Sequence, residues 1–391
     1  MTTNFKVTQI GGYLADLDDI LMRREFLSGG NLWMWGNNAS GYLGDGTTVN
    51  KSSPVTTAGS GVNWRQITNN TATYGIKQDG TLWAWGSGGN GALGDGTTVN
   101  KSSPVTISGG GTNWIGISAN SAGGAAIKSD GTLWTWGFNG GGNLADGTTA
   151  NKSSPVTTIG GQGTWASLMT GASGSQTVAA IKLDGSLWIW SAGSTNSGIL
   201  VGDGTGVAKS SPVTTAGGGN NWKSVTCGYG AAAAVKTDGT LWTWGLNTSG
   251  QLGTGVTTST NSPVTTAGGG VNWKMVAQAS SGFGAVKTDG TLWTWGLNTT
   301  GGLGDGTTVN KSSPVTVAGG GTTWKVACGY GAIKTDGTLW TWGSNGGGSG
   351  GRVGDGTTAN KSSPVQVAGA GTVWKIGTSY NVGSAITDLT F

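Results

Sequence analysis

Residues 285–304 read AVKTDGTLWTWGLNTTGGLG, and this stretch contains the motif that recurs throughout the chain. The pentapeptide Leu-Trp-x-Trp-Gly within it occurs seven times, with Ser191 in place of the glycine in the fourth copy. The mean spacing of about 51 residues is typical of repeat folds such as propellers and solenoids. The copies begin at Leu32, Leu82, Leu133, Leu187, Leu241, Leu292 and Leu339.

Two further elements keep the same period. Each copy carries one Ser-Pro-Val tripeptide and one isolated tryptophan, and together with the pentapeptides these account for all 21 tryptophans and all 7 prolines. The repeats therefore fill the chain from about residue 29 onward. The prolines are Pro54, Pro104, Pro155, Pro212, Pro263, Pro314 and Pro364, and the isolated tryptophans are Trp64, Trp114, Trp165, Trp222, Trp273, Trp324 and Trp374.

Each copy is predicted to form several short strands. In the sixth copy, residues 285–287 and 291–295 flank Asp289-Gly290, a strong hairpin signal because glycine accepts the positive φ of a tight turn. Pro314 is expected to open or edge a strand, since proline cannot donate to a ladder. Residues 324–329 form the next predicted strand.

Strand alternation places Trp293 and Trp295 on one face of their strand, and Leu292 and Thr294 on the other. Three to four strands in about 51 residues fit one blade of a β-propeller, and no helical periodicity follows residue 28. The expected fold is therefore all-β, a seven-bladed β-propeller with a short N-terminal extension.

The two ends of the chain favour a closed ring. The first copy lacks a full strand before Leu32, with only residues 25–27 there, while residues 384–388 match the missing strand. A C-terminal strand in the first blade would close the ring and remove exposed sheet edges, whereas an open solenoid would need distinct caps. We therefore expect an extension over residues 1–28 and a propeller over residues 29–391.

The composition is unusual and excludes several classes of protein. The 391 residues include 80 glycines and no histidine, and only 10% of them are charged. Few charges with many tryptophans argue against disorder, and the absence of histidine removes the commonest general base and metal ligand. The net charge of +4 comes from evenly spaced lysines rather than from a cluster typical of nucleic-acid binding.

The repeats resemble those of the regulator-of-chromosome-condensation family. The residues that carry the resemblance are Trp-Gly-Leu-Asn within 292–298, Gly-Gly-Leu-Gly at 301–304 and Val-Ala-Cys-Gly at 326–329. The resemblance covers the chain from about residue 29 onward and implies a seven-bladed propeller. It implies no single function, because exchange factors, photoreceptors, chromatin adaptors and phage proteins share the fold.

Two specific activities of that family are poorly matched. Its exchange factors insert a wedge into a small GTPase, but the longest departure here, residues 191–201, is too short for one. Its plant ultraviolet photoreceptor uses Gly-Trp-Arg-His-Thr motifs, whereas this chain has no histidine and joins tryptophan to arginine once, at Trp64-Arg65. A soluble intracellular protein-interaction scaffold of the same family stays open as an alternative.

The tryptophans invite two interpretations. They could form a carbohydrate-stacking surface, or they could pack between blades, which their fixed phase in the strands favours. Trp64 and its six equivalents lie near a strand start and are expected to be the more exposed set.

The loop after the pentapeptide carries an aspartate followed by a lysine. Six copies have both residues and the fifth lacks both, with Thr254 and Asn261 instead, so we expect the two side chains to pair. One carboxylate per copy is too few for calcium, and no metal site is predicted. The pairs are Asp45 with Lys51, Asp95 with Lys101, Asp146 with Lys152, Asp203 with Lys209, Asp305 with Lys311, and Asp355 with Lys361.

Two more sets of charges recur in the repeats. The hairpin charges, such as Lys287 and Asp289, are expected to balance each other. The remaining cations follow the isolated tryptophan and are predicted to form a basic ring on one face, more simply a solvated ring than a site for specific nucleic acid. The ring comprises Arg65, Lys223, Lys274, Lys325 and Lys375, and the other hairpin pairs are Lys77 with Asp79, Lys128 with Asp130, Lys182 with Asp184, Lys236 with Asp238, and Lys334 with Asp336.

Catalysis has little support in the sequence. Cys227 and Cys328 are expected to share one phase of the repeat as small buried residues that cannot reach each other. No nucleophile has a visible base partner, so we predict no catalytic residue, no cofactor and no enzyme.

The first 28 residues differ from the repeats. Leu14, Leu17 and Leu21 have helical spacing, and residues 17–23 resemble the starts of marine cyanophage virion and fibre structural proteins. Two interpretations stay open: the segment is a solvated or propeller-docked extension, or it attaches the propeller to a partner, and the functional expectation below uses the second. The candidate anchor residues are Phe5, Val7, Leu14, Leu17, Ile20, Leu21, Arg23 and Arg24.

These observations lead to a functional expectation. The sequence shows no signal peptide and no apolar run long enough for a membrane span, although the Gly, Thr, Ser and Asn-rich surface is typical of an extracellular protein. A virion protein made in the host cytoplasm fits both facts. We expect a non-enzymatic propeller on a bacteriophage capsid or tail, held by other virion proteins through residues 1–28, for decoration or for attachment to a host-surface glycan or protein.

Overall fold

The computed structural model describes residues 30–387, apart from 60–62, 122, 160–163, 171–176, 193–196, 229, 280–281, 347–350, 369–373 and 380–381. The predicted extension 1–28 and the predicted strand end at residue 388 lie outside these ranges. Within them, the chain forms seven antiparallel four-stranded sheets, which confirms the all-β, seven-bladed propeller.

The strands are short and regularly spaced. A one-turn helix, α1 (Ser197–Val201), departs from the expectation of no helix after residue 28, and a 3₁₀ turn covers Gly89–Gly91. The strands are β1 (Leu32–Gly36), β2 (Lys51–Thr56), β3 (Trp64–Asn69), β4 (Ala72–Lys77), β5 (Leu82–Gly86), β6 (Lys101–Thr106), β7 (Trp114–Asn120), β8 (Gly123–Lys128), β9 (Leu133–Gly137), β10 (Lys152–Thr157), β11 (Trp165–Thr170), β12 (Val178–Lys182), β13 (Leu187–Ser191), β14 (Lys209–Thr214), β15 (Trp222–Cys227), β16 (Ala231–Lys236), β17 (Leu241–Gly245), β18 (Thr260–Thr265), β19 (Trp273–Ala279), β20 (Gly282–Lys287), β21 (Leu292–Gly296), β22 (Lys311–Thr316), β23 (Trp324–Ala327), β24 (Gly331–Lys334), β25 (Leu339–Gly343), β26 (Lys361–Gln366), β27 (Trp374–Ser379) and β28 (Val382–Thr387).

The C-terminal strand closes the ring, as the chain ends predicted. Blade 1 has the order β27-β28-β1-β2, and β28 pairs with β1 from Leu32 opposite Ile386 to Gly36 opposite Val382. Blades 2 to 7 follow in sequence, from β3–β6 to β23–β26. Because one blade joins both ends of the described chain, the ring has no free terminal sheet.

Each blade has an inner and an outer edge. The strand that begins with the isolated tryptophan is innermost, because these strands contact their equivalents in neighbouring blades. The Ser-Pro-Val strand is outermost, as expected for Pro314. At this edge the missing N–H of proline removes no hydrogen bond between strands. The adjacent blade partly covers this edge, since the Gly46 N–H donates to the Ser102 carbonyl across the boundary.

The core consists of seven layers between blades. In the layer between blades 5 and 6, Trp273 and Trp295 pack against Val235 and Leu241, with Trp293 alongside. Leu292 lies in the next layer, between blades 6 and 7. The predicted alternation along β21 is therefore confirmed, and the interpretation of the tryptophans as packing between blades is correct for the buried rings.

A hydrogen bond joins every blade to the loop of the blade before it. The second pentapeptide tryptophan is buried, and its indole N–H donates to a loop carbonyl at 2.9–3.0 Å. Helix α1 supplies one of these carbonyls, at Leu200. The pairs are Trp35 with Arg352, Trp85 with Tyr42, Trp136 with Ala92, Trp190 with Asn143, Trp244 with Leu200, Trp295 with Gln251, and Trp342 with Gly302.

The loop that receives this tryptophan needs a left-handed residue. Gly304 has φ +67°, and a Cβ there would lie 2.9 Å from atoms of the Trp342 ring. The equivalent position in blade 3 holds Ala145, a buried residue at φ +52°. A non-glycine residue in this conformation costs roughly 1–2 kcal/mol, so Ala145 is a local source of strain.

We predict that Ala145→Gly raises the free energy of unfolding by about 1 kcal/mol, because it removes the Cβ from a left-handed position. Gly304→Ala should lower it by more than about 1 kcal/mol, since it adds both strain and a clash with Trp342. Chemical denaturation of the two variants beside the parent chain measures both effects. A loss of stability in Ala145→Gly would contradict this account of the loop.

Candidate functional site

A lysine clamped between two tryptophans recurs on one side of six blades. In blade 6, the Lys287 Nζ lies 4.7 Å from the Trp273 ring centroid and 4.5 Å from that of Trp293. Such cation–π contacts contribute about 0.5–1 kcal/mol at exposed sites. The lysines are Lys77, Lys128, Lys182, Lys236, Lys287 and Lys334, at 4.2–5.1 Å from their ring centroids.

This arrangement adds to one prediction and corrects another. The hairpin lysines and aspartates do interact electrostatically, as expected, but the lysine ammonium groups also lie over indole rings. Trp64 and its equivalents were expected to be exposed, but all seven are buried, and the first pentapeptide tryptophan is the half-exposed one in every blade. The innermost position of the isolated tryptophan explains its burial.

The hairpin aspartate organises its own turn. The Asp289 carboxylate accepts hydrogen bonds from the Thr291 N–H and hydroxyl, and the Thr291 hydroxyl in turn accepts from the Trp293 indole N–H. These hydrogen bonds lower the pKa of Asp289. The repeated sequence Asp-Gly-Thr-Leu-Trp, with Ser186 for Thr in blade 4, is therefore a hydrogen-bonded relay that fixes the half-exposed ring.

The loop aspartates form the predicted ion pairs. In six copies the lysine Nζ lies 3.1–3.9 Å from the aspartate carboxylate. The fifth copy lacks the pair, but the register places Thr260, not Asn261, at the lysine position opposite Gly245. The prediction of Asn261 as the replacement was wrong by one residue, because the Ser-Pro-Val element rather than the loop sets the register.

A buried asparagine at the centre of the loop was missed as a structural residue. The Asn298 side-chain amide donates to Asp305, to the Thr307 carbonyl and to the Val309 carbonyl at 3.0–3.2 Å, and its oxygen accepts from the Leu303 N–H. Its recurrence after Trp-Gly was the available signal. The equivalents are Asn38, Asn139, Asn247 and Asn345.

The basic ring residues share one structural position. Each follows the isolated tryptophan at a β-bulge of the innermost strand, which gives them one level around the axis. Lys223 is exposed, Lys274 and Lys325 are half-buried, and the side chain of Lys375 lies outside the described residues. The functional role of the ring stays a prediction.

Arg65 of the ring makes a hydrogen bond to the next blade. Its guanidinium donates to the Trp114 carbonyl of blade 3 at 2.9 Å, and burial lowers its pKa. Blades 3 and 4 have Ile115 and Ala166 at the same bulge position, so the basic ring is interrupted there.

This interruption coincides with a set of exposed apolar residues in blades 3 and 4, Ile115, Ile159, Ala166 and Leu183, here called the apolar patch. Ile115, Ile159 and Leu183 are 44%, 53% and 67% exposed, and Ala166 is exposed. The Leu183 N–H donates to the Thr164 carbonyl beside Ala166, and β7 packs against β11. The other blades have Ala or Ser at the Ile159 position. At the Leu183 position, blades 2, 3, 5, 6 and 7 have Gln, Ser or Thr, and the sequence of blade 1 has Asp388. The fold therefore does not require large apolar residues there.

The two cysteines of the chain lie in different layers of the core. Cys227 and Cys328 are free and buried, and burial raises the pKa of both thiols to about 12. They do not share a phase as predicted: Cys227 packs between blades 4 and 5, whereas Cys328 packs between blades 7 and 1. Within the described ranges, no group of three acidic or cysteine residues could hold a metal, and no helix is long and apolar enough to cross a membrane.

The candidate anchor residues, from Phe5 to Arg24, lie outside the described part of the chain. The described chain begins beside the inner edge of blade 2, where Gly30 and Trp64 exchange backbone hydrogen bonds. This is also the side of the blade that carries Arg65.

Comparison with known proteins identifies the repeat. A family model described as regulator of chromosome condensation (RCC1) repeat matches residues 79–125, 238–284 and 289–332, and a second model of that description matches residues 222–251. The resemblance stated from the sequence is thus confirmed for the repeats and the propeller.

Curated relatives match about half of the chain. The ultraviolet-B receptor UVR8 of Arabidopsis thaliana is 30% identical over 195 residues, which cover 49% of this chain and 43% of UVR8. The E3 ubiquitin-protein ligase HERC2 of Homo sapiens is 30% identical over 200 residues, 50% of this chain and 4% of HERC2. The chain thus spans less than half the length of either relative.

Solved structures show the same architecture at low identity. Human WBSCR16 has a TM-score of 0.78 at 18% identity and covers 92% of this chain and 99% of its own. Prp20p of Saccharomyces cerevisiae has a TM-score of 0.76 at 15% identity and covers 94% and 95%. At these identities the likeness concerns the fold alone.

We predict that stability is flat between about pH 5 and 8 and falls on both sides. Burial alone would raise the pKa of Asp305, but hydrogen bonds from Thr307, Asn298 and Lys311 outweigh it and hold that pKa below 3.8. A carboxylate with a lowered folded pKa adds stability above its unfolded pKa and loses it as the pH falls through the folded value.

The buried thiols act in the opposite direction, since their folded pKa of about 12 is raised. Their contribution is complete below the unfolded pKa and declines above about pH 8.5, where the unfolded thiols ionise. With no histidine in the chain, the plateau between should be level. Melting temperatures from pH 2 to 10 test this, and a step near pH 6.5 would contradict it.

Proposed function

We propose that this chain is a non-enzymatic interaction propeller, and that it serves as a bacteriophage virion protein anchored by residues 1–28. The observation that carries the interaction role is the apolar patch of Ile115, Ile159, Ala166 and Leu183. A near-symmetric ring has no folding reason to place large apolar side chains at these positions in blades 3 and 4, where other blades have small or polar residues. Apolar surface of this kind marks protein-binding sites.

The use of the charged groups supports a non-catalytic role. The carboxylates of the hairpins accept hydrogen bonds within their own turns, and those of the loops pair with lysine and asparagine. The raised pKa of both buried thiols, about 12, keeps them un-ionised at neutral pH. Catalytic acids and nucleophiles need the opposite, an accessible group whose pKa is matched to its task.

The virion role rests on the N-terminal segment and on the composition of the surface. Residues 17–23 resemble the starts of marine cyanophage virion and fibre proteins, and the anchor residues Phe5 to Arg24 would bind other virion proteins. The propeller would then decorate a capsid or tail, or contact a host-surface glycan or protein. The chain would be made in the host cytoplasm and released with the particle by lysis.

The relatives favour a second candidate, a soluble intracellular protein-interaction scaffold. Prp20p has been described with its binding to Gsp1p and histones, and has been solved bound to Kap60, while UVR8 is a receptor. Binding of protein partners is common to both candidates. They differ in where the chain is found and in what it binds.

We predict that the chain is present in purified phage particles, and that deletion of residues 1–28 abolishes its incorporation. The variant Ile115→Lys, Ile159→Ala, Leu183→Thr restores residues found at the same positions in other blades, so it should fold. Because it removes the apolar patch, it should bind its protein partner about tenfold or more weakly. Quantitative mass spectrometry of particles, and cross-linking of the parent chain and of each variant, give the two readouts.

The matched control is Val99→Thr with Val309→Thr, which removes valines that are 61% and 64% exposed on other loops. This variant should be incorporated and cross-linked like the parent chain. Absence of the chain from particles, with capture of a small GTPase or DNA from cells, would replace the virion role with the scaffold role. Equal loss of cross-links in the control and patch variants would remove the patch as the binding surface.

A further inference from the structure

A cavity of about 220 Å³ lies beside the lysine clamp of blade 6. Its walls are Trp273, Trp293 and Lys287, together with Ser313 and Pro314 of the outer strand and Gly268 at the start of the glycine loop from blade 5. Ligand pockets for drug-sized molecules measure about 300–1,000 Å³, so this cavity suits a single small ring.

The cation in this cavity, Lys287, is held over two indole rings, and it also interacts electrostatically with the Asp289 carboxylate of its own hairpin. That carboxylate also accepts hydrogen bonds from Thr291. The loop ion pairs in the described chain use other lysines, such as Lys311 with Asp305. An ammonium has three N–H donors and no acceptor, so the cavity presents a preorganised positive donor.

The aromatic wall holds a second unused donor. The Trp273 indole N–H is buried and has no hydrogen-bond partner among the described residues. In blade 7 the equivalent N–H, on Trp324, donates to the Gly320 carbonyl of the glycine loop at 3.3 Å. The blade 6 donor therefore faces the glycine loop that borders the cavity.

We propose that this cavity binds one residue of an acidic saccharide, such as a uronic acid. The apolar face of the sugar ring would pack on Trp293 and Pro314, as aromatic and proline rings allow. Its carboxylate would accept hydrogen bonds from Lys287, which charge assistance strengthens. The Ser313 hydroxyl can donate to or accept from a ring hydroxyl. A neutral sugar or a polyanion without rings satisfies only one half of this site.

A polymer that occupies several equivalent sites on the ring binds more tightly than a single sugar residue at one site. Five other blades repeat the lysine, the two tryptophans and the proline, whereas in blade 1 Thr387 stands opposite Trp374 where the others have lysine. Linked sites of this kind raise overall affinity by about 10²–10⁴ over one site. An acidic polysaccharide would thus bind far more tightly than its monomer. The inference deepens the host-attachment part of the proposed function, but binding by the isolated chain tests it without any particle.

The experiment is a titration of the full chain with polygalacturonate, with dextran and poly-glutamate as comparison polymers. The test variant is Lys77→Met, Lys182→Met, Lys287→Met, in which the methionine keeps an apolar stem on the rings. The control variant is Lys101→Met, Lys209→Met, Lys311→Met, which removes the same charge from loop ion pairs. Circular dichroism and melting temperature establish that both variants fold.

We expect polygalacturonate to bind the parent chain, the clamp variant to bind about tenfold or more weakly, and the control variant to stay within about threefold. Dextran and poly-glutamate should bind at least tenfold more weakly than polygalacturonate. Equal losses in the two variants, or equally tight binding of poly-glutamate, would show general charge attraction and overturn the site. No binding of polygalacturonate to the parent chain would overturn it as well, while leaving the virion test untouched.

Discussion

The indole of the second pentapeptide tryptophan, placed between two blades and hydrogen-bonded to the loop of the preceding blade, is the interaction on which this structure depends. It recurs at all seven boundaries, including the closing one, where Trp35 donates to the Arg352 carbonyl. The ring must therefore repeat the same spacing at each step. This requirement explains why the residue before each aspartate has a left-handed conformation, and why Ala145 is strained there. It also explains why α1, although helical, still places the Leu200 carbonyl where Trp244 can donate to it.

Near-identity of the blades makes their differences informative. Most polar groups are committed to holding the turns, as Asn298 and Asp305 do in the loop and Asp289 does in the hairpin. A residue that departs from its six equivalents, without a packing reason, is then a candidate for function. Ile159 and Leu183 meet that description, and they lie where the basic bulge residues are interrupted by Ile115. The lysines held over two tryptophans differ from these residues, because they recur in six blades and the proposed polymer binding depends on that recurrence.

The sequence predicted the repeat, the strands, the loop ion pairs and the closure by residues 384–388, because each depends on spacing along the chain. It did not predict which tryptophan is exposed, since Trp64 is hidden only by its position at the centre of the ring. It misplaced Asn261, because the Ser-Pro-Val element rather than the loop sets the register there, and it misjudged the phase of Cys328, because the inner strand of blade 7 is shorter. The contacts of Lys287 with two indole rings were missed, because they depend on the pairing of three strands rather than on spacing along the chain.

Closure of the ring by β28 is the central claim, and amide hydrogen exchange of the full chain measures it most directly. In a closed ring, the amides of residues 382–387 that pair with β1 can exchange only when the whole propeller opens, so their protection should equal that of β16 in blade 5. Exchange of residues 382–387 that is orders of magnitude faster than that of β16 would contradict closure and would indicate an open array with a frayed end.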